Sequence, residues 1–240
     1  MEARFLCAGD TALVVEFGDV IDRAMSERVL QLGARVRAGG LEGVVEVMPT
    51  FRSLMVHYDP VSTSGEKLSA QLRALLDGVT TEKQSVKLWR IPACYEEAHA
   101  PDLADVAQQT GMDRDEVVRL HSRTQFHVYM VGFVPGYPYM GDLPPALVLP
   151  RRANPRIRVP AGSIAIATTM TAIYPLESPG GWHLIGATPV RLFDAASDRP
   201  ALLQPGDKVR FEPVSAAEFD AIRAASEAGD YQVPYEEAEA

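Results

Sequence analysis

Cysteine is nearly missing from this chain: Cys7 and Cys94 are the only two among 240 residues. They stand far apart and neither belongs to a C-x-x-C pair, so reduced, buried thiols in a cytoplasmic protein are expected rather than a disulfide framework. Histidine is also sparse. His57, His99, His121, His127 and His183 show no H-x-x-x-H or mixed Cys/His ligand spacing, so no metal site is expected. Basic residues are outnumbered, 23 against 32 acidic, for a net charge of −9. That balance argues against nucleic acid or an anionic membrane as a partner. No apolar run reaches the length of a membrane span. The opening MEARFLCAGD has no basic segment ahead of an apolar core, so no secretory signal is expected. The phosphate loop G-x-x-x-x-G-K-[ST], the dinucleotide fingerprint G-x-G-x-x-G and the nucleophile elbow G-x-S-x-G are absent too. The sequence does not read as a self-sufficient enzyme.

What is present suggests two domains, residues 1–85 and 86–240. In the first, Ala12–Phe17 reads as a strand. Asp22–Arg37 places Met25, Val29, Leu32 and Val36 at helical spacing before the Gly39-Gly40 stop. Val44–Met48 and Ser53–Tyr58 read as strands, Ser64–Leu76 as a helix, and Val86–Pro92 as a closing strand. That order is the split βαβ pattern of a ferredoxin-like α+β unit. The polar stretch Thr80–Ser85 marks the boundary. A short helical insert near 102–122 follows, with Asp102–Thr110 and Arg114–Ser122 separated by Gly111 and Asp113 as an N-cap. From His127 to Pro213 the chain becomes short β-type runs, VYMVGF, ALVLP, IRVP, SIAIAT, WHLIG, VRLF and KVRFEP. Gly and Pro punctuate them, which points to an antiparallel barrel or sandwich. Pro205-Gly206 is a turn signal. Ala216–Ala225 reads as a helix, and the acidic end EEAEA as frayed.

The densest information lies between Phe126 and Asp194. In GFVPGYPYMG, Gly132, Gly136 and Gly141 permit close backbone approach, while Phe133, Tyr137 and Tyr139 offer aromatic walls. Such a loop either lines a pocket or interface or forms a rigid surface turn. Arg151, Arg152, Arg156 and Arg158 cluster within an otherwise acidic chain. If extended, residues 156–160 turn Arg156 and Arg158 to one face and Ile157 and Val159 to the other. Guanidinium forks suit a carboxylate or phosphate; the competing reading is a solvated strand edge. In PAGSIAIAT, Ser163, Ala165 and Ala167 share one face, with Ser163 a hydrogen-bonding group rather than a nucleophile. In IYPLESPGGW, Tyr174 positions a ligand or anchors an interface, beside Ser178, Gly180 and Gly181. Trp182 reads primarily as a core residue sealing the barrel.

GFVPGYPYMG, PRIRVPAGS and IYPLESPGGW, in this order, closely resemble the family of the 5-oxoprolinase B subunit. The family is also known as allophanate hydrolase subunit 1 or the KipI histidine-kinase inhibitor, and is related to part of the carboxyltransferase region of urea carboxylase. Gly9–Gly18, GDTALVVEFG, is similar to its opening. The resemblance implies a ferredoxin-like α+β domain followed by a mainly-β cyclophilin-like barrel. It raises Arg151 and Arg156, on the family's paired Pro-Arg positions, above Arg152 and Arg158, and makes Arg151, Arg156, Ser163 and Tyr174 the substrate contacts. No catalytic base is assigned. The chain departs from the family pattern at several places. Ala165, Thr168 and Ala172 stand for glycines, Met170 for a glutamine and Ala187 for an arginine. Cys94-Tyr95-Glu96-Glu97-Ala98, followed by His99, stands for the family's Cys-Tyr-Gly-Gly-Glu run.

By the resemblance, the chain is the small subunit of an ATP-dependent lactam hydrolase that opens 5-oxoproline to glutamate. Its partners would be the enzyme's C subunit, a protein similar to allophanate hydrolase subunit 2, and its A subunit. ATP would be used by the complex, with no cofactor tightly bound in this chain, and the substrate would be a small anionic or amide compound. Three alternatives remain. The chain is a carboxyltransferase half in a biotin-dependent urea-carboxylase-like assembly, a histidine-kinase inhibitor, or part of an amidase for allophanate.

Overall fold

The computed structural model describes residues 3–76 and 85–239. They form two compact units, one within residues 1–84 and one across 85–239. Most of the Thr80–Ser85 boundary stretch lies outside the described residues.

The first unit contains β1 (Arg4–Cys7), β2 (Ala12–Glu16), α1 (Arg23–Gly39), β3 (Val44–Pro49), β4 (Ser53–Tyr58) and α2 (Gly65–Leu76). Helix α1 starts where Asp22 accepts a hydrogen bond from the Met25 amide and stops at Gly40 in the left-handed region. Its Val29, Leu32 and Val36 join Leu68 and Leu72 of α2 and Leu13, Val15, Leu54 and Val56 of the sheet in one core. The sheet order is β1-β2-β4-β3. This corrects the expected pairing: the place beside β2 is filled by β1, antiparallel to it, and not by residues 86–92. Cys7 sits on that edge strand and is exposed, contrary to expectation, whereas Cys94 is buried; both are free.

The second unit contains β5 (Ser85–Ala93), α3 (Leu103–Thr110), α4 (Arg114–Arg123), β6 (Phe126–Val131), β7 (Pro138–Gly141), β8 (Arg156–Val159), β9 (Ser163–Ala167) and β10 (Met170–Ile173). It continues through β11 (Ser178–Gly180), β12 (His183–Ala187), β13 (Lys208–Pro213), α5 (Ala216–Ala228) and β14 (Tyr235–Glu239). Eight strands make one mixed sheet in the order β12-β9-β10-β7-β6-β13-β5-β14, and β11 and β8 pair separately. Strand β5 runs parallel to β13, in a register that brings Trp89 opposite Val209 and Ile91 opposite Phe211. The acidic tail is therefore not frayed: Tyr235–Glu239 is an antiparallel edge strand on β5. Arg90 ties it down by bonding Glu236 on one side and Glu212 on the other. Two β-type runs are not strands. ALVLP holds a single 3₁₀ turn and one isolated bridge, and VRLF contributes only the Phe193–Ala201 bridge. The Pro205-Gly206 turn is present, with Gly206 at φ 99° and the Asp207 amide donating to the Gln204 carbonyl.

Candidate functional site

Strand alternation separates the two faces of the sheet. Ile164 and Ile166 of β9, Ile173 of β10 and Met140 of β7 point into the apolar core, with Phe126, Val128 and Phe211. On the opposite face the register sets Tyr139 opposite Ala172, Ala172 opposite Ala165, and Ala165 opposite Leu184. Paired residues share a face, so the small side chains in the middle leave a floor between Tyr139 and β12. Ser163 and Ala187 form the next pair on this face, and Ala167 and Met170 another. Ala165, Met170, Ala172 and Ala187, four of the positions at which the sequence departs from the family resemblance, thus share the face that carries Tyr139, with Ala172 directly opposite it.

Over this floor stands an aromatic cluster. The Tyr137 ring lies 4.9 Å from Tyr139, 5.1 Å from Tyr174 and 6.4 Å from Trp182, the last two edge to face. Trp182 is buried, but among these tyrosines rather than in the main core. Phe133 is 62% exposed, takes φ 72°, and sets its ring 5.4 Å from Tyr137. Gly136, at φ 77°, brings the loop so near Phe193 that a β-carbon would stand 2.8 Å from that residue's own.

The Tyr137 and Tyr174 hydroxyls are coupled, which disfavours ionisation of Tyr137 and favours that of Tyr174. Burial pushes the pKa of all three tyrosines above the ordinary phenol value, and the Arg151 guanidinium opposes it at each. The three phenols therefore stay protonated near the charge of the exposed Arg151.

The arginine cluster divides sharply. Arg158 is exposed and pairs with Glu177. Arg152 and Arg156 turn to Asp102, whose side chain is 3% exposed. One Asp102 oxygen accepts from Arg152 at 2.7 Å and Arg156 at 2.7 Å; the other accepts from Arg156 at 2.8 Å and the Leu184 amide at 2.7 Å. Arg156 thus gives both terminal nitrogens to a carboxylate of its own chain. The predicted alternation along β8 holds only in part, since Val159 is buried but Ile157 is 87% exposed. Of the sequence-derived contacts, Tyr174 stands in the tyrosine cluster, and the Arg151 charge acts on it. Ser163 is buried at the head of β9, on the face shared with Tyr139. Ser178 is buried with no partner for its Oγ, and Gly181 accepts the Arg152 amide through its carbonyl. Asp102 itself was missed. It stands ahead of α3 and nothing in its local sequence marks it as the residue two distant arginines share.

A second polar network crosses the core. His121 is fully buried, with Nδ1 2.8 Å from the Tyr95 hydroxyl and Nε2 3.0 Å from Thr171 Oγ1. The Thr171 hydroxyl donates to the Ala165 carbonyl, so Nε2–H must donate to Thr171 and Nδ1 must accept from Tyr95. Burial holds His121 neutral, with its pKa lowered to about 3. No group of three or more residues suited to a metal ion occurs among the described residues. Among them, too, no helix is long and apolar enough to cross a membrane.

The sheet and its tyrosine-lined face belong to a known class. Residues 3–203 match the model for the carboxyltransferase domain, subdomain C and D. The chain is 41% identical over 212 residues to the B subunit of 5-oxoprolinase from Escherichia coli O157:H7, covering 88% of this chain and 96% of the relative. It is 33% identical to the B subunit of 5-oxoprolinase from Bacillus subtilis, over 90% of this chain and 94% of that one. Urea amidolyase of Saccharomyces cerevisiae is 28% identical over 95% of this chain, which matches only 14% of the yeast protein. The crystal structure of TTHA0988 superposes with a TM-score of 0.77 at 35% identity, over 85% of this chain but 40% of that longer one. Urea amidolyase of K. lactis shares the fold, with a TM-score of 0.80 at 23% identity, over 99% of this chain and 16% of its own. The chain belongs to the carboxyltransferase-domain family, in the branch of the 5-oxoprolinase B subunits.

Proposed function

We propose that this chain is the small subunit of an ATP-dependent complex that hydrolyses 5-oxoproline to glutamate, with the C and A subunits of such an enzyme as partners. The observation that carries the reading is the packed cluster of Tyr137, Tyr139 and Tyr174, whose phenols feel the Arg151 charge, in a chain 41% identical to a 5-oxoprolinase B subunit. The substrate carries a carboxylate and a lactam carbonyl. Arg151 takes the carboxylate through its guanidinium fork, and a tyrosine hydroxyl donates to the lactam oxygen. Ser163 and Tyr174 are the further contacts, while Arg156 supports Tyr174 from its pairing with Asp102. Activating so stable an amide is left to ATP, which the complex consumes; no step of that activation is assigned to a residue of this chain. In the same reading the first unit is a ferredoxin-like variant with β1 in the closing place, and the second a cyclophilin-like barrel.

A second reading, half of a biotin-dependent carboxyltransferase, is favoured by one observation. Met170 and Ala187, where the family resemblance implies a glutamine and an arginine, both lie on the tyrosine face, so neither offers a polar side chain there. Affinity capture of the chain from its native lysate separates the two. A partner of the C-subunit type without biotinylated protein supports lactam hydrolysis; a co-purifying biotinylated carrier supports carboxyl transfer.

A further inference from the structure

Asp102 does more than neutralise charge. Its carboxylate gathers three separate pieces of chain: Arg152 from the loop after Pro150, Arg156 from β8, and the Leu184 amide on the outer edge of β12. The Asp102 amide donates in turn to the Leu184 carbonyl, 2.9 Å away, so the pair is joined in both directions. From Arg156 the connection runs inward. Arg156 is the register partner of Gly180, and a β-carbon on Gly180 would stand 2.2 Å from the Tyr174 hydroxyl. From Arg152 it runs to the next residue, Arg151, and across to Gly181, whose carbonyl accepts the Arg152 amide at 2.8 Å. Arg151 is thus carried on a segment that Asp102 holds, while Tyr174, just after β10, sets its hydroxyl against Gly180 on the strand paired with another such segment, β8.

A buried carboxylate with two guanidinium partners is a weak source of net stability, since desolvation offsets most of the attraction, but it demands one geometry. We propose that Asp102 is a positioning residue for ligand binding: it clamps the Arg152 loop and the β8–β11 pair against β12, fixing where Arg151 and the Tyr174 hydroxyl point. This rests on the reading of that face as the 5-oxoproline site. Asp102 touches no ligand and acts only through those neighbours.

The test uses Asp102→Asn, which keeps the shape but presents an amide to the guanidinium groups. Hydrogen exchange of the free chain is measured first, independently of any substrate. The expected result is faster exchange confined to residues 150–160 and 178–184; acceleration spread over the whole second unit would make Asp102 a stability element and overturn the proposal. The complex is then reconstituted with its partner proteins, and 5-oxoproline-dependent ATP hydrolysis is followed for wild type, Asp102→Asn, Arg151→Ala and the double variant. Asp102→Asn should raise KM about tenfold and change kcat less than about threefold, the size of one weakened charge-assisted contact. The double variant should lose clearly less than the product of the single losses, because the two residues act through one contact. An unchanged KM in Asp102→Asn, or fully multiplicative losses, would overturn the proposal. If Arg151→Ala also leaves KM unchanged, the failure lies in the reading of the site itself.

Discussion

Gly180 and Tyr174 are in a contact that allows no side chain at position 180: a β-carbon there would stand 2.2 Å from the Tyr174 oxygen and 2.7 Å from the ring carbon bearing it. The neighbours that would have to move are an aromatic ring held by Tyr137 and a strand held by Arg156. Gly180→Ala should therefore lower stability by about 1–3 kcal/mol, the usual penalty of overpacking. Gly181→Ala, whose β-carbon would meet Pro155 at an ordinary 3.5 Å, should cost much less. Thermal melting of the two variants side by side checks the difference.

His121 gives the protein a built-in acid limit. Its pKa falls from 6.5 to about 3 on burial, so the unfolded state binds the extra proton between those values. The stability that depends on a neutral His121 is whole above about pH 6.5 and is lost as pH falls towards 3. The slope from this one group reaches about 1.4 kcal/mol per pH unit. His121→Gln should flatten the fall between pH 6 and 4 in chemical denaturation, even if it lowers stability at neutral pH. An unchanged slope would mean that other groups govern acid unfolding.

Thr168 occupies a place made for glycine. It opens the two-residue turn between β9 and β10, where Ala167 pairs with Met170, and it is held at φ 52°. A β-branched residue in the left-handed region is strained by about 1–3 kcal/mol, part of which its bond to the Ala167 carbonyl recovers. Thr168→Gly should raise stability by about 0.5–1 kcal/mol, visible as a higher melting temperature. A lower one would show that the hydroxyl bond outweighs the backbone strain.

Removing the last strand should be costly although it lies at the chain's acidic end. Tyr235 packs its ring 5.0 Å from Trp89 and lies under the Lys87 ammonium, while β14 covers the edge of β5. A chain ending at Pro234 leaves that edge unpaired, and it should melt earlier and self-associate in size-exclusion chromatography. Unaltered melting would show that the strand is dispensable.

Local signals were enough for the helices and many strands. Asp22 ahead of an apolar stripe sets α1, and Asp113 and Gly111 bracket the short helices. Partners distant in sequence were not readable. Strand β5 follows the first unit and looks like its last strand, but its apolar residues find their match on β13, about 120 residues later, while β1 takes the vacant edge. Strand β14 has no alternation of its own; its strand character comes from β5 and from Arg90. At the site, the glycines, tyrosines and arginines were visible as types. Which arginine remains available was decided by Asp102, fifty residues away from Arg152.

In the proposed function this chain contributes the 5-oxoproline site of a multi-protein hydrolase. That role is tested most directly by measuring 5-oxoproline-dependent ATP hydrolysis in the partner proteins with and without this chain. Turnover should appear only when the chain is added and should show weakened substrate affinity when Arg151→Ala replaces it. Equal turnover without the chain, or full affinity with Arg151→Ala, would contradict it.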